Sequence, residues 1–164
     1  LLEAQLQRFD ALHNSATPEY VLIHMNPDSV VEAIIESPMV MIASDGLQSH
    51  PRGAGTYSRI LGHYVRDRKS LTMLEAVKKM SLMPAQRLET ITTAAKRKGR
   101  IQVGADADIV VFDPETVADR STYRAPGEPS VGMRYVLVAG VLVVDGGTLV
   151  AGVAPGQPIA VQRP

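Results

Sequence analysis

Two short apolar runs, Tyr20-Val21-Leu22-Ile23 and Met39-Val40-Met41-Ile42-Ala43, flank a segment that carries Val30, Val31, Ile34 and Ile35 at helical spacing. Unbroken apolar runs of this length suit strands buried on both faces. Asn26-Pro27 opens the intervening helix, with Asn as N-cap and Pro pre-set at the first helical position. Ser37-Pro38 closes it. Strand, helix and strand in this order predict a βαβ unit. Its two strands, 20–24 and 39–43, are expected to run parallel with a right-handed crossover.

The helical texture extends on both sides. Leu2, Leu6, Phe9 and Leu12 form an apolar stripe that predicts a helix over residues 1–13, and helical patterning returns from Tyr57 to Val65. Thr72-x-x-Glu75 is a capping box, opening a helix expected to turn Leu74, Val77 and Met80 inward. Pro84 starts a further short helix with Leu88. From Gly99 onward the texture changes. Ile101–Val103, Ile109–Phe112, Tyr135–Val138, Val141–Val144 and Leu149-Val150 are short β runs bounded by Gly, Asp and Pro. Ala139-Gly140 marks a hairpin, and alanine's poor fit to positive φ favours a turn longer than two residues. Pro114–Ser130 reads as a long, mostly irregular connection. The boundary falls near residue 100, with α/β structure over 1–100 and an all-β part over 101–164.

Composition narrows the function classes. A chain of 164 residues with 45% apolar content can build one domain or two small ones. A net charge of zero argues against general disorder and against a dedicated nucleic-acid binder. No run approaches the roughly 20 apolar residues of a membrane span, and no leader pattern opens the chain. A cytoplasmic location is therefore expected. Without cysteine there is no disulfide framework and no thiolate metal site. Leu1 begins inside a helical pattern with no initiator Met, so a piece of a longer protein is expected.

Charge is unevenly spread. Residues 1–65 carry three Arg against seven acids, 66–100 ten Lys and Arg against three, and 101–164 four against seven. The basic middle reads as a polyanion patch, as a solvated helical face, or as the counterpart of the acidic flanks. No aromatic residues for base stacking stand among its basic clusters, which disfavours the first.

Functional groups in parallel α/β structures gather beyond the C-terminal ends of strands. Here those places are His24-Met25-Asn26 and Ser44-Asp45-Gly46. Asp45 has two readings, a carboxylate facing a pocket or a turn residue bonded to its own backbone. The loop after it brings His50 and Arg52 into a glycine-rich setting. Arg52 is either a planar fork for a carboxylate or a surface charge. His24, Asp45 and His50 have no compact metal-ligand spacing, and His13 and His63 sit in helical patterns. No nucleophile elbow, phosphate loop or dinucleotide fingerprint is present.

Three segments together resemble the C-terminal part of the amidohydrolase superfamily, in its N-acyl-D-amino-acid deacylase (D-aminoacylase) group. The first is Met41-Ile42-Ala43-Ser44-Asp45-Gly46 with His50-Pro51-Arg52-Gly53-Ala54-Gly55-Thr56 and the run Arg59–Arg66. The second is Leu74–Ser81 with Pro84–Leu88. The third is Gly99-Arg100-Ile101, Gly104, Ala107-Asp108-Ile109-Val110-Val111-Phe112-Asp113-Pro114, continuing through Thr116–Asp119 and Thr122-Tyr123. The third is shared by many amidohydrolases, and the His-Pro-Arg run narrows the likeness to the deacylases.

The resemblance implies the C-terminal part of a (β/α)8 metal-dependent hydrolase barrel, followed by a small all-β domain of composite sandwich type. It implies Asp45 as the catalytic aspartate after the last barrel strand, with Arg52, His50 and Ser44 binding substrate. The reaction implied is hydrolysis of an N-acyl-D-amino acid, with Zn²⁺ in the complete enzyme. Most zinc ligands fall in family segments outside these 164 residues, so this chain alone is expected to bind no metal and to be inactive. Its expected partners are the small-molecule substrate and the missing N-terminal barrel segment, with a homo-oligomer possible and no nucleic acid or membrane. Two other readings stand beside this one: a cyclic-amide hydrolase of the dihydroorotase or hydantoinase kind, and a non-catalytic structural module.

Overall fold

The computed structural model describes residues 2–15, 26–47 and 50–160. Two compact units make up the chain, Leu1–Val31 and Glu32–Pro164.

In the first unit, α1 spans Leu2–His13 and its stripe of Leu2, Leu6 and Phe9 is exposed. The expected strand at 20–24 and His24 lie outside the described residues. Helix α2, Asp28–Glu36, starts slightly later than the Asn-Pro pattern predicts. The Pro27 carbonyl accepts from Val30 and Val31 at 2.9 and 3.3 Å, which makes Pro27 the cap.

The second unit takes up the end of α2, where Ile35 is buried. The strand expected over 39–43 is not formed among the described residues. Val40 donates its N–H back to Ser37, and the buried Ile42 donates to the Lys79 carbonyl at 3.1 Å. A parallel strand exists only through pairing, and these amides are spent on a turn and a helix instead. Lys79 completes the link. Its ammonium, buried on the opposite helix, donates to the carbonyls of Ser37 and Val40.

Helix α3, Arg52–Arg59, continues without a break as a π-helix over Ile60–Asp67. The wider turns show in Arg68, whose N–H reaches the His63 carbonyl five residues back at 2.8 Å. Thr72 and Glu75 form the reciprocal capping box as read from the sequence, opening α4, Met73–Val77. A π-helical turn, Lys78–Leu82, then leads into α5, Met83–Leu88. Pro84, which has no N–H to give, sits just inside that last segment. The inward face differs from the expected one. Leu74 is 79% exposed, and Ala76 and Lys79 are buried in place of Leu74 and Val77. Lys79 sets this rotation, because its head group must reach the 37–40 carbonyls. A short 3-10 helix, Thr93–Arg97, ends the helical part.

All strands follow. β1 (Ile109–Phe112), β2 (Met133–Val138), β3 (Val141–Asp145) and β4 (Thr148–Leu149) form one antiparallel sheet in chain order. Ile101–Val103 is not a strand; Ile101 is exposed and unpaired in the sheet. The hairpin turn is two residues after all. Val138 pairs with Val141, and Ala139 and Gly140 have φ of 50° and 81°, the primed turn that suits strand twist.

The connection between β1 and β2 is mostly irregular, as expected, with one bridge between Ala118 and Val131. It is nevertheless clamped to α3. Ser121 Oγ donates to the Pro51 carbonyl at 2.8 Å, and Ser130 Oγ to Ala54 at 2.9 Å. Val117, fully buried, lies between two glycines. A Cβ on Gly132 would stand 2.4 Å from the Val117 Cα, and one on Gly62 would stand 2.5 Å from its carbonyl oxygen.

The basic block finds much of its charge balance within the chain. Arg68 holds Glu32 through two contacts of 2.6 and 3.0 Å, and Arg97 and Lys98 meet Asp106 at 3.0 and 3.1 Å. Lys98 also reaches Asp108 at 2.5 Å, and Arg100 meets Glu89. No helix among the described residues is long and apolar enough to cross a membrane.

Candidate active site

The loop that follows Ile42 carries the candidate residues, and glycines fold it back on itself. His50 donates its N–H to the Leu47 carbonyl at 3.1 Å, closing the turn before α3. A Cβ on Gly53 would lie 2.8 Å from that same Leu47 oxygen, so only glycine lets the first turn of α3 approach so closely. Asp45 takes a φ of 44°, a left-handed conformation that Asp tolerates better than most residues.

This folding brings Asp45 and Arg52 together. Arg52 Nη2 stands 2.9 Å from Asp45 Oδ2, with the aspartate side chain 82% exposed and the arginine 35%. The Arg52 Nε is buried without a hydrogen-bond partner. Ser44 is half-buried on the near side of the same turn. His50 does something the sequence did not suggest: its Nδ1 accepts the backbone N–H of Arg52 at 3.1 Å. Its ring meets Tyr123 edge-on, with centroids 5.3 Å apart at 89°. An open hollow of about 410 Å³ lies beside this loop, lined by Gly46, Leu47, Gly53, Ala54, Pro126 and Gly127.

Asp45, Arg52, His50 and Ser44 thus fall in one loop, as their sequence proximity requires. Tyr123 and the Pro126-Gly127 turn were missed as neighbours. They arrive from a segment some seventy residues away, and no local signal announces them. Among the described residues no three His, Asp or Glu side chains converge to hold a metal ion. Asp45 faces a guanidinium and not a second ligand. The described residues do not by themselves fit a metal centre, and what they offer chemically is a carboxylate for protons and a cation for anions.

A helix-rich segment, a glycine-folded Asp-Gly loop and the Asp-Ile-Val-Val-Phe-Asp strand entry agree with a wider comparison. Residues 4–144 match the amidohydrolase family model, and the chain belongs to that family. More specific likenesses point within it. The N-acyl-D-glutamate deacylase of Alcaligenes xylosoxydans xylosoxydans is 42% identical over 120 residues, covering 71% of this chain and 24% of that protein. The N-acyl-D-aspartate deacylase of the same organism is 34% identical over 134 residues, 79% of this chain and 26% of the other. A solved D-aminoacylase, described with a binuclear metal centre, superposes with a TM-score of 0.69 at 36% identity, over 76% of this chain and 26% of its own. The N-acyl-D-glutamate deacylase of Bordetella bronchiseptica, complexed with zinc and a phosphonate mimic of the tetrahedral intermediate, gives 0.65 at 40%, over 74% and 27%. The chain spans about a quarter of the length of these relatives.

Proposed function

We propose that this chain is the C-terminal portion of an enzyme that hydrolyses the amide bond of N-acyl-D-amino acids. The observation that carries this reading is the Asp45–Arg52 pair at 2.9 Å, a proton acceptor beside a carboxylate-binding cation. Asp45 takes a proton from the water whose oxygen attacks the amide carbonyl, then gives it to the amine as the C–N bond breaks. The products are a free carboxylate and a free D-amino acid. Arg52 holds the α-carboxylate of the substrate, and Ser44 borders the same turn. Zinc, as in the Bordetella relative, would be ligated mainly by residues of the complete protein outside this chain. All the relatives described above act, by name, on linear N-acyl amides, which supports this reading over a cyclic-amide hydrolase.

The same reading covers architecture. Residues 1–100 would supply the last part of a barrel, and 101–164 one layer of a composite β-sandwich. The sheet supports this. Its strands are mainly apolar, interrupted by Arg134 in β2 and ending at Asp145 in β3, with no residue buried, and Val110, Val111, Tyr135 and Val141 are 44–52% exposed. Strands apolar on both faces are built to be covered on both.

A chimera tests the proposal. This chain replaces the matching quarter of the Alcaligenes N-acyl-D-glutamate deacylase, and the release of free D-amino acid from N-acetyl-D-glutamate is followed. Turnover of the N-acetyl-D-amino acid and none of a hydantoin is the expected result. A folded, metal-loaded chimera that hydrolyses neither leaves the structural-module reading.

A further inference from the structure

We propose that His50 is a positioning residue for Arg52, acting through its Nδ1 on the first turn of α3, and not a ligand for the substrate. This rests on the reading of Arg52 as the residue that holds the substrate carboxylate.

The first amides of a helix have no partner within it, and some outside acceptor must satisfy them. In α3 His50 supplies two. Its ring Nδ1 accepts from Arg52 at 3.1 Å, and its carbonyl accepts from Gly53 at 3.1 Å. Pro51 stands between, and its fixed φ holds the imidazole two residues before the amide it caps. An Nδ1 that accepts leaves the ring proton on Nε2, so the neutral imidazole is fixed as one tautomer. The ring is also braced from outside. Tyr123 packs against it edge-on, and Ser121, two residues before Tyr123, holds the Pro51 carbonyl at 2.8 Å.

The consequence falls on Arg52. Its backbone is pinned by His50, its Nε is buried, and its Nη2 reaches Asp45. The direction of the guanidinium is therefore set from the backbone outward. Loss of the Nδ1 acceptor frees the N1 amide of α3 and with it the arm that presents the guanidinium. A ligand role would use Nε2 instead. The two roles differ in which ring nitrogen matters, and side-chain amides tell them apart. Asn places its oxygen near the position of Nδ1 and Gln near that of Nε2.

The experiment uses the full 164-residue chain, labelled with ¹⁵N, and N-acetyl-D-glutamate as the probe. A through-hydrogen-bond ¹⁵N–¹⁵N coupling between the Arg52 amide and His50 Nδ1 is the direct signature. Probe affinity is then measured from saturable amide shifts for the parent, His50→Asn, His50→Gln, His50→Ala and Arg52→Ala. We expect the coupling to be present and His50→Asn to stay within about twofold of the parent, because Asn is an effective cap. Gln and Ala should weaken binding about five- to tenfold, the scale of a lost cap. No coupling, or Gln rescuing where Asn fails, overturns the positioning role. Gln and Ala variants that bind like the parent while Arg52→Ala does not also overturn it, with the reading of Arg52 intact. If Arg52→Ala binds as well as the parent, or the parent shows no saturable shift, the reading of Arg52 itself fails and the proposal falls with it.

Discussion

The carboxylate of Asp108 accepts the backbone N–H of Ala139 at 2.8 Å, across 31 residues of chain. It meets the turn at Ala139, the turn's non-glycine residue at positive φ, while the Ala107 carbonyl takes the N–H of Gly140 at 2.9 Å. The Ala-Asp pair before β1 thus holds the β2–β3 turn. An alanine in left-handed conformation costs about 1 kcal/mol, which Gly or Asn avoids at the same place. Ala139→Asn should stabilise the protein by about 0.5–1 kcal/mol in urea unfolding, because Asn-Gly suits this turn. Asp108→Ala should destabilise it by about 1 kcal/mol, a modest figure because the side chain is partly solvated.

The same cluster sets a pH dependence. Lys98, hydrogen-bonded to Asp108 and Asp106, holds both carboxyls below their ordinary value of 3.8, and Arg68 does the same for Glu32. A carboxyl with a lowered folded pKa binds fewer protons folded than unfolded, so its stabilisation is full above the ordinary value. It is lost as pH falls through the lowered one. Lys98 is raised above 10.5, mainly by Asp108, and its share is lost only as pH rises through that raised value. Melting temperature should therefore fall steeply below about pH 4. Asp108→Asn should flatten that acid limb; an unchanged limb would contradict the pairing.

Close approach at glycine predicts the largest losses. A Cβ at Gly132 would meet backbone atoms of Val117 at 2.4 and 2.5 Å, and its φ is +81°. Gly132→Ala should cost about 3 kcal/mol or more and leave little folded protein at 37 °C. Gly53→Ala, pressed on the Leu47 carbonyl at 2.8 Å, should disturb the loop that carries Asp45 while sparing the β-sheet. Amide shifts confined to residues 44–55 would confirm this, and shifts spread through β1–β3 would not.

How far the sequence carried is clear from individual residues. The Thr72–Glu75 box was legible because all of its partners lie within four residues. The Asp45–Arg52 association was close to legible, since one glycine-rich loop holds both. Met39–Ala43 forms no strand for a physical reason: Val40 and Ile42 spend their N–H groups on Ser37 and Lys79, and of the run only Ile42 is buried while Met39 is 87% exposed. Lys79 belongs to the basic block for which a solvated helical face is one of three readings, yet it is buried, because two carbonyls from residues 37 and 40 accept from it. Tyr123 against His50 was invisible, as only the folded β1–β2 connection brings them together.

Metal content gives a further expectation. A catalytic zinc needs about three protein ligands and an open position. The described residues bring no such group together. The purified 164-residue chain, dialysed and analysed for metal, should hold zinc well below one equivalent. Stoichiometric zinc lost on changing Asp45 and His50 would contradict the account.

The most direct measurement is the steady-state kinetics of Asp45→Asn in the chimeric deacylase. Asn keeps the shape of the side chain and cannot take a proton. General acid–base help is typically worth about 10²–10⁴ in rate, so kcat should fall by at least about 100-fold while KM for N-acetyl-D-glutamate changes little. Arg52→Ala should show the opposite bias, raising KM more than it lowers kcat. A kcat for Asp45→Asn within a few-fold of the parent would make Asp45 a turn residue and contradict the account at its centre.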